Sequence, residues 1–164
     1  LEIKAGQVIG YIGPNGAGKS TTVRILAGLD GSFKGDIKVD GINIKEDPIS
    51  IKRKIGYIPE VAELYDVLTP IEFLTLMGKL HGIAEETIIN RGSNMLYHFG
   101  LADNLHHRMN SFSKGMRQKV LITSGLIHNP QIIFMDEPLT GLDANAVIMV
   151  KEIIPFNSFI NIKL

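Results

Sequence analysis

The order of apolar segments along this chain predicts an α/β fold with a mainly parallel sheet, a short β-hairpin and an α-helical insert. Three observations predict it. Short apolar runs at 7–12 (QVIGYI), 55–58 (IGYI) and 131–135 (QIIFM) read as buried strands bounded by Gly13, Pro59 and Asp136. Stretches of helical spacing separate them. From Thr69 to position 128 the texture changes to that of an α-rich insert.

The elements follow in order. After the first strand and a glycine-rich stretch, residues 20–27 (STTVRILA) place Val23, Leu26 and Ala27 on one helical face, and Gly28 closes the turn. Residues 31–44 alternate apolar and polar side chains around Asp40-Gly41, a hairpin signal. Thr69-Pro70 is a helix start, and 85–100 and 114–128 continue the helical block. The strand at 131–135 leads to a helix over 144–154 that Pro155 ends. No internal repeat or low-complexity linker interrupts this order.

Composition narrows the possibilities. The 164 residues suit a single domain, and 45% hydrophobic with 21% charged residues is enough for a buried core. Zero formal charge opposes a broad nucleic-acid surface. The absence of cysteine excludes disulfides, thiolate metal sites and cysteine nucleophiles. No apolar run reaches the ~20 residues a bilayer span needs, and the start lacks the marks of a signal peptide, so a soluble chain is expected. Any membrane role would come through a partner.

Gly13-Pro14-Asn15-Gly16-Ala17-Gly18-Lys19-Ser20 matches G-x-x-x-x-G-K-[ST] at every fixed position, followed by Thr21. A triphosphate needs several N–H donors converging on its oxygens, and glycine lets the backbone wrap that closely. The helix that follows adds its N-terminal amides and dipole. Lys19 supplies a charge for the terminal phosphates and Ser20 a hydroxyl for Mg²⁺, so the ligand expected is MgATP. The strand before and the helix after make this a P-loop NTPase core rather than an incidental glycine turn.

The 131–135 strand ends in Asp136 and Glu137. Taken alone, such a pair is more simply a helix cap or a solvated loop. Beside a phosphate loop, Asp136 can steady the metal, while Glu137, on the opposite side by strand alternation, can polarise a water.

These residues resemble the ATPase subunits of ABC transporters. The stretch GPNGAGKSTTVRILAGL is similar to that family's phosphate-loop region. Ser111-Phe112-Ser113-Lys114-Gly115-Met116-Arg117-Gln118 resembles its signature, and Asp136-Glu137-Pro138-Leu139-Thr140-Gly141-Leu142-Asp143 its acidic strand end and D-loop. IGYIPE at 55–60 sits where the family has its Q-loop, with Glu60 in place of glutamine. The resemblance covers nearly all of 1–154. It implies one nucleotide-binding domain, with 1–60 and 129–164 as a RecA-like core and 61–128 as a helical subdomain. It implies that two such domains pack head to tail, Ser113 and Gly115 of one capping the γ-phosphate held by the other. Glu137 and Lys19 would serve hydrolysis, and Ser20, Asp136 and Glu60 would organise Mg²⁺. Asp143 would lie at the dimer interface. The partner would be a membrane-spanning permease, with the domain peripheral on the cytoplasmic face. IGYIPE and the SKGM form of the signature resemble drug and bacteriocin exporters.

Two further readings stand beside this one: a nucleotide-binding module with little turnover, and a soluble ABC protein without a permease. The first rests on the ends. The family's adenine-stacking aromatic lies upstream of Leu1, and its switch histidine lies beyond the D-loop helix, where this chain reads PFNSFINIKL. That tail reads as a truncated or frame-shifted end. His81, His98, His106, His107 and His128 all precede Asp136 and read as surface or helix-end residues. Tyr11 and Tyr57 are expected in the core, as are Met77, Met95, Met109 and Met116, whereas Lys52-Arg53-Lys54 is expected on a solvated helix face.

Overall fold

A computed structural model describes residues 2–4, 6–14, 16–61, 63–137, 139, 141–153 and 159–162. Leu1, Asn15, Pro138, Thr140 and Pro155, which the sequence singles out, lie outside the described residues.

Gly18, at φ 80°, turns the chain into α1 (Lys19–Leu26), and Gly28 at φ 70° follows its end. The hairpin is shorter than the sequence pattern: β1 (Lys38–Val39) pairs antiparallel with β2 (Ile42–Asn43) across Asp40-Gly41, both at positive φ. Helix α2 (Pro48–Lys54) starts on Asp47, whose carboxylate accepts from the Ser50 amide, and runs straight into β3 (Ile55–Ile58).

The helical block follows. In α3 (Pro70–Leu80), Thr69 accepts from the Glu72 amide while Glu72 accepts from the Thr69 amide, a reciprocal capping box with proline at the first position. Helix α4 (Glu85–His98) and α5 (Lys114–Leu126) complete the block. The helices approach closely at glycines: a Cβ on Gly92 would meet Leu74, and one on Gly78 would meet Ile88. Strand β4 (Ile132–Asp136) then returns to the sheet, and α6 (Ala144–Ile153) leads to β5 (Phe159–Ile162).

The sheet order is β3-β4-β5, all parallel, with Ile55 opposite Ile132 and Asp136 opposite Ile162. Its two faces divide the core by strand alternation. Ile58, Ile133 and Met135 face the core made with α3, α4 and α5, while Ile55 and Phe134 face the one made with α1, α2 and Ile44. Gly56 permits the tightest contact on the first face, because any Cβ there would collide with the Gly125 carbonyl of α5 and with Pro130.

One predicted strand is not formed. Residues 7–12 carry no strand pairing among the described residues, and Val8, Tyr11 and Ile12 are exposed, Ile12 to 75%. Ile9 alone of this run leans on the α1-side core. Tyr11 is therefore a surface residue, whereas Tyr57 is half-buried on β3. Both sides of β4 are taken by β3 and β5, and among the described residues 7–12 pairs with neither outer edge of this sheet. The C-terminal tail, by contrast, supplies β5, an element the sequence pattern did not announce.

Met95 and Met109 are buried, and Met77 and Met116 pack against the same core. Lys52 and Arg53 are exposed on α2, and Lys54 pairs with Asp40.

Candidate functional site

The glycine-rich turn is built as a phosphate ligand would require. Gly16 and Gly18 stand at φ 82° and 80°, in the left-handed region that glycine alone enters at no cost. Nothing lies within 4 Å of the point where a Cβ would stand on either, so it is the backbone angle and not crowding that calls for glycine there. The amide of Ala17 donates to the Pro14 carbonyl at 3.2 Å, closing the turn. Lys19 is 7% exposed, and its Nζ donates to the carbonyls of Gly13 at 2.7 Å and Pro14 at 3.0 Å. The ammonium is thus folded over the loop that it would share with a phosphate. Ser20 and Thr21, in the first turn of α1, have exposed side chains.

Asp136 closes β4 and is 5% exposed. Its position continues the alternation of Ile132 and Phe134, which places it on the α1 side of the sheet. Tyr57 reports the same neighbourhood. Burial raises the pKa of its hydroxyl, the Asp136 charge raises it further, and Arg24 of α1 acts in the opposite direction. Sequence reasoning placed Tyr57 in the core and missed that it borders the acid; the β3–β4 register, which pairs it with Phe134, brings it there.

Glu137 departs from expectation. At φ 48° its backbone sits in the left-handed region, so strand alternation stops at Asp136 and does not set its direction. A non-glycine residue held there stores strain, and such strain clusters at functional positions. No sequence signal announces it. Glu60 is exposed just past β3.

Ser113 caps α5, its hydroxyl accepting from the Met116 amide at 3.3 Å. Gly115 has a packing role that its sequence context hides: a Cβ there would come within 2.8 Å of the Gly141 carbonyl. The signature-like helix start therefore rests on the loop after β4. Asp143 caps α6, accepting from the Ala146 amide at 2.8 Å, and that bond is the first cause of its lowered pKa.

His98, His106 and His107 are exposed, as expected. His81 and His128 are half-buried and stack at 3.7 Å with 14° between ring planes. Among the described residues no group of three or more His, Asp or Glu side chains could hold a metal unaided. A cation beside Asp136 would therefore take its other ligands from water, a hydroxyl or phosphate oxygens, the usual arrangement for Mg²⁺. The left-handed glycine turn, the Lys19 ammonium folded over it and the buried Asp136 carboxylate fit a metal nucleotide.

A parallel sheet with a glycine-rich turn opening a helix and an acid closing the neighbouring strand defines a P-loop NTPase-type protein. The chain belongs to the ABC transporter family, whose model matches residues 1–140. It is 41% identical over 155 residues to the ABC transporter ATP-binding protein NatA of Bacillus subtilis, covering 94% of this chain and 63% of the relative. It is 36% identical to the daunorubicin/doxorubicin resistance ATP-binding protein DrrA of Streptomyces peucetius, covering 94% of this chain and 47% of that protein. With the linearmycin resistance ATP-binding protein LnrL of Bacillus subtilis it shares 37% identity, covering 87% and 46% respectively. The chain thus spans about half to under two thirds of these curated relatives. Among solved structures, an ATP-binding subunit of an ABC transporter superposes with a TM-score of 0.86 at 32% identity, covering 98% of this chain and 69% of that one. A dimeric ATP-binding cassette in a post-hydrolysis state with ADP and Pi superposes with a TM-score of 0.88 at 26% identity, covering 99% and 77%. No helix among the described residues is long and apolar enough to cross a membrane.

Proposed function

We propose that this domain binds MgATP in the 13–20 turn and hydrolyses it as a head-to-tail pair of nucleotide domains that drives a membrane-spanning permease. The observation that carries the reading is the left-handed glycine turn with the buried Lys19 ammonium on its Gly13 and Pro14 carbonyls, and Asp136 closing β4 on the α1 side. Main-chain amides of Gly13, Pro14's successor Asn15, Gly16, Ala17, Gly18, Ser20 and Thr21 are the phosphate donors, with Lys19 as the charge. Ser20 and Asp136 hold Mg²⁺, which supplies charge neutralisation when bound, and Glu60 is its outer acceptor. Glu137 orients the attacking water. Ser113 and Gly115 act on the nucleotide of the second domain. Residues 61–128 form the helical subdomain and the flanking parts the RecA-like core. The names of two relatives, both resistance proteins, support an exporter, with this domain on the cytoplasmic face of the membrane.

Calorimetric titration with MgATP tests this. Lys19→Ala is expected to weaken binding about 100-fold, because a charge-assisted contact to phosphate is lost. Glu137→Gln is expected to keep binding and abolish turnover. Equal uptake of MgATP by the parent and by Lys19→Ala would overturn the assignment.

A further inference from the structure

Helix α5 carries two cations directly behind Ser113 and Gly115, and they point to opposite sides. Arg117 and Lys119 are two residues apart, about 200° around a helix. Arg117 pairs with Asp66 and also donates to the Met109 carbonyl at 3.1 Å. Asp66 belongs to the segment that follows Glu60, and that segment is itself tied down: the Asn110 amide donates to the Asp66 carbonyl and the Met109 amide to the Leu68 carbonyl. On the other side Lys119 donates to Asp143 Oδ2 at 3.0 Å, while the same carboxylate accepts from the Ala146 amide. Asp143 belongs to the loop that follows Glu137. One turn earlier, Gly115 abuts the Gly141 carbonyl and the Lys114 stem lies over Gly141.

The start of α5 is therefore held between the segments leading from Glu60 and from Glu137. Both carboxylates are more than half exposed, at 56% and 58%, so these pairs add little to stability. What they fix is direction. A helix start whose amides and hydroxyl must meet a charge on another copy needs its angle set, since small misplacements cost rate.

We propose that Arg117 and Lys119 are positioning residues that orient Ser113 and Gly115 and tie that orientation to the segments carrying Glu60 and Glu137. The catalytic consequence rests on the function proposed above; the orientation itself does not.

The test uses the full chain and its Lys119→Met, Arg117→Met and Lys119→Arg variants. Turnover and binding are measured with MgATP, and amide exchange by NMR. Lys119→Met and Arg117→Met are expected to keep the MgATP dissociation constant within about twofold and lower kcat about tenfold, with Lys119→Arg recovering most of it. The Met116 and Ala146 amides are expected to exchange about tenfold faster in Lys119→Met, with β4 amides unchanged. Unchanged kcat in a parent that turns over, or faster exchange in β4 to the same degree, would overturn the positioning role. Should Lys119→Met fail to fold, Asp143→Asn replaces it, since asparagine keeps the α6 cap and removes the charge. A parent that neither binds nor hydrolyses MgATP refutes the proposed function, and the exchange of Met116 and Ala146 then decides the orientation alone, unchanged rates refuting it.

Discussion

The two faces of the sheet are packed very differently. Among the described residues, the face against α3, α4 and α5 belongs to a cluster of twenty buried apolar side chains, and the face against α1 and α2 to a cluster of six. The phosphate-type turn, Lys19 and Asp136 all sit on the thinner side. Burial of apolar area is the main source of stability, so the helical side holds the domain together. On the other side fewer buried side chains back the turn in which Lys19 donates to the Gly13 and Pro14 carbonyls. Stability and the candidate chemistry thus occupy opposite faces of the same two strands, β3 and β4.

A matched pair of substitutions measures that difference and carries the largest expected effect. Ile122 on α5 and Ile51 on α2 are both fully buried, at 0% exposure, one on each side. Truncation costs more where surrounding side chains cannot collapse into the cavity, so Ile122→Ala should cost about 4 kcal/mol and Ile51→Ala about 2 kcal/mol. Urea unfolding of both variants checks this. Equal losses would break the contrast, and a larger loss at Ile51 would reverse it.

Next in size is a pH effect at the seam between the helical side and β3. His128 follows α5, its Nε2 donates to the Ile55 carbonyl at 3.0 Å, and its ring stacks on His81 at the end of α3. A carbonyl can only accept, so the neutral ring carries its proton on Nε2, and Nδ1 is buried without a partner among the described residues. Burial first, then the His81 charge, and last the Arg91 charge together hold the His128 pKa down at about 4, against the opposing Ile55 bond. Burial also lowers His81, with Arg53 adding to it. The fold therefore favours neutral rings. Above the ordinary histidine value of 6.5 both states are neutral and stability is complete; from there down to about 4 only the unfolded chain takes up the proton, and stability falls. Because the His128 ring is only half-buried, solvent screening limits the His128 share to about 1–2 kcal/mol between neutral pH and the folded pKa. Urea unfolding at several pH values should show a steeper loss for the parent than for His128→Gln. Parallel slopes would mean that the seam does not sense protons.

Much of this architecture was legible because local chemistry and burial agree. Thr69-Pro70 announces the start of α3, Asp40-Gly41 the hairpin turn, and the fixed positions from Gly13 to Ser20 the glycine turn. What escaped depends on partners that a pattern does not name. Periodicity says that Arg117 and Lys119 lie on a helix but not that Asp66 and Asp143 await them. The left-handed Glu137 and the Tyr57–Asp136 proximity arise from register and backbone strain, which leave no trace in composition. Phe159–Ile162 was not read as a strand despite its β-favouring FINI, because a short apolar run states only a preference for burial. The run at 7–12 shows the same limit in the other direction.

That run provides the smallest and sharpest check on the contrast. An apolar side chain contributes through the area it removes from water, and Ile12 remains 75% exposed beside the thin face. Ile12→Ser should then change unfolding free energy by less than about 0.5 kcal/mol, the range of ordinary surface substitutions. Ile9, half-buried against the α1-side core, should respond to the same change with a loss of about 1–2 kcal/mol. Alternation alone would have 8, 10 and 12 share one face and 9 and 11 the other, so the two variants separate a ladder-paired strand from an extended segment that touches the core at one residue. A loss of about 2 kcal/mol or more at Ile12 would mean that 7–12 is buried in solution and that the thin side carries more of the stability than its six residues indicate.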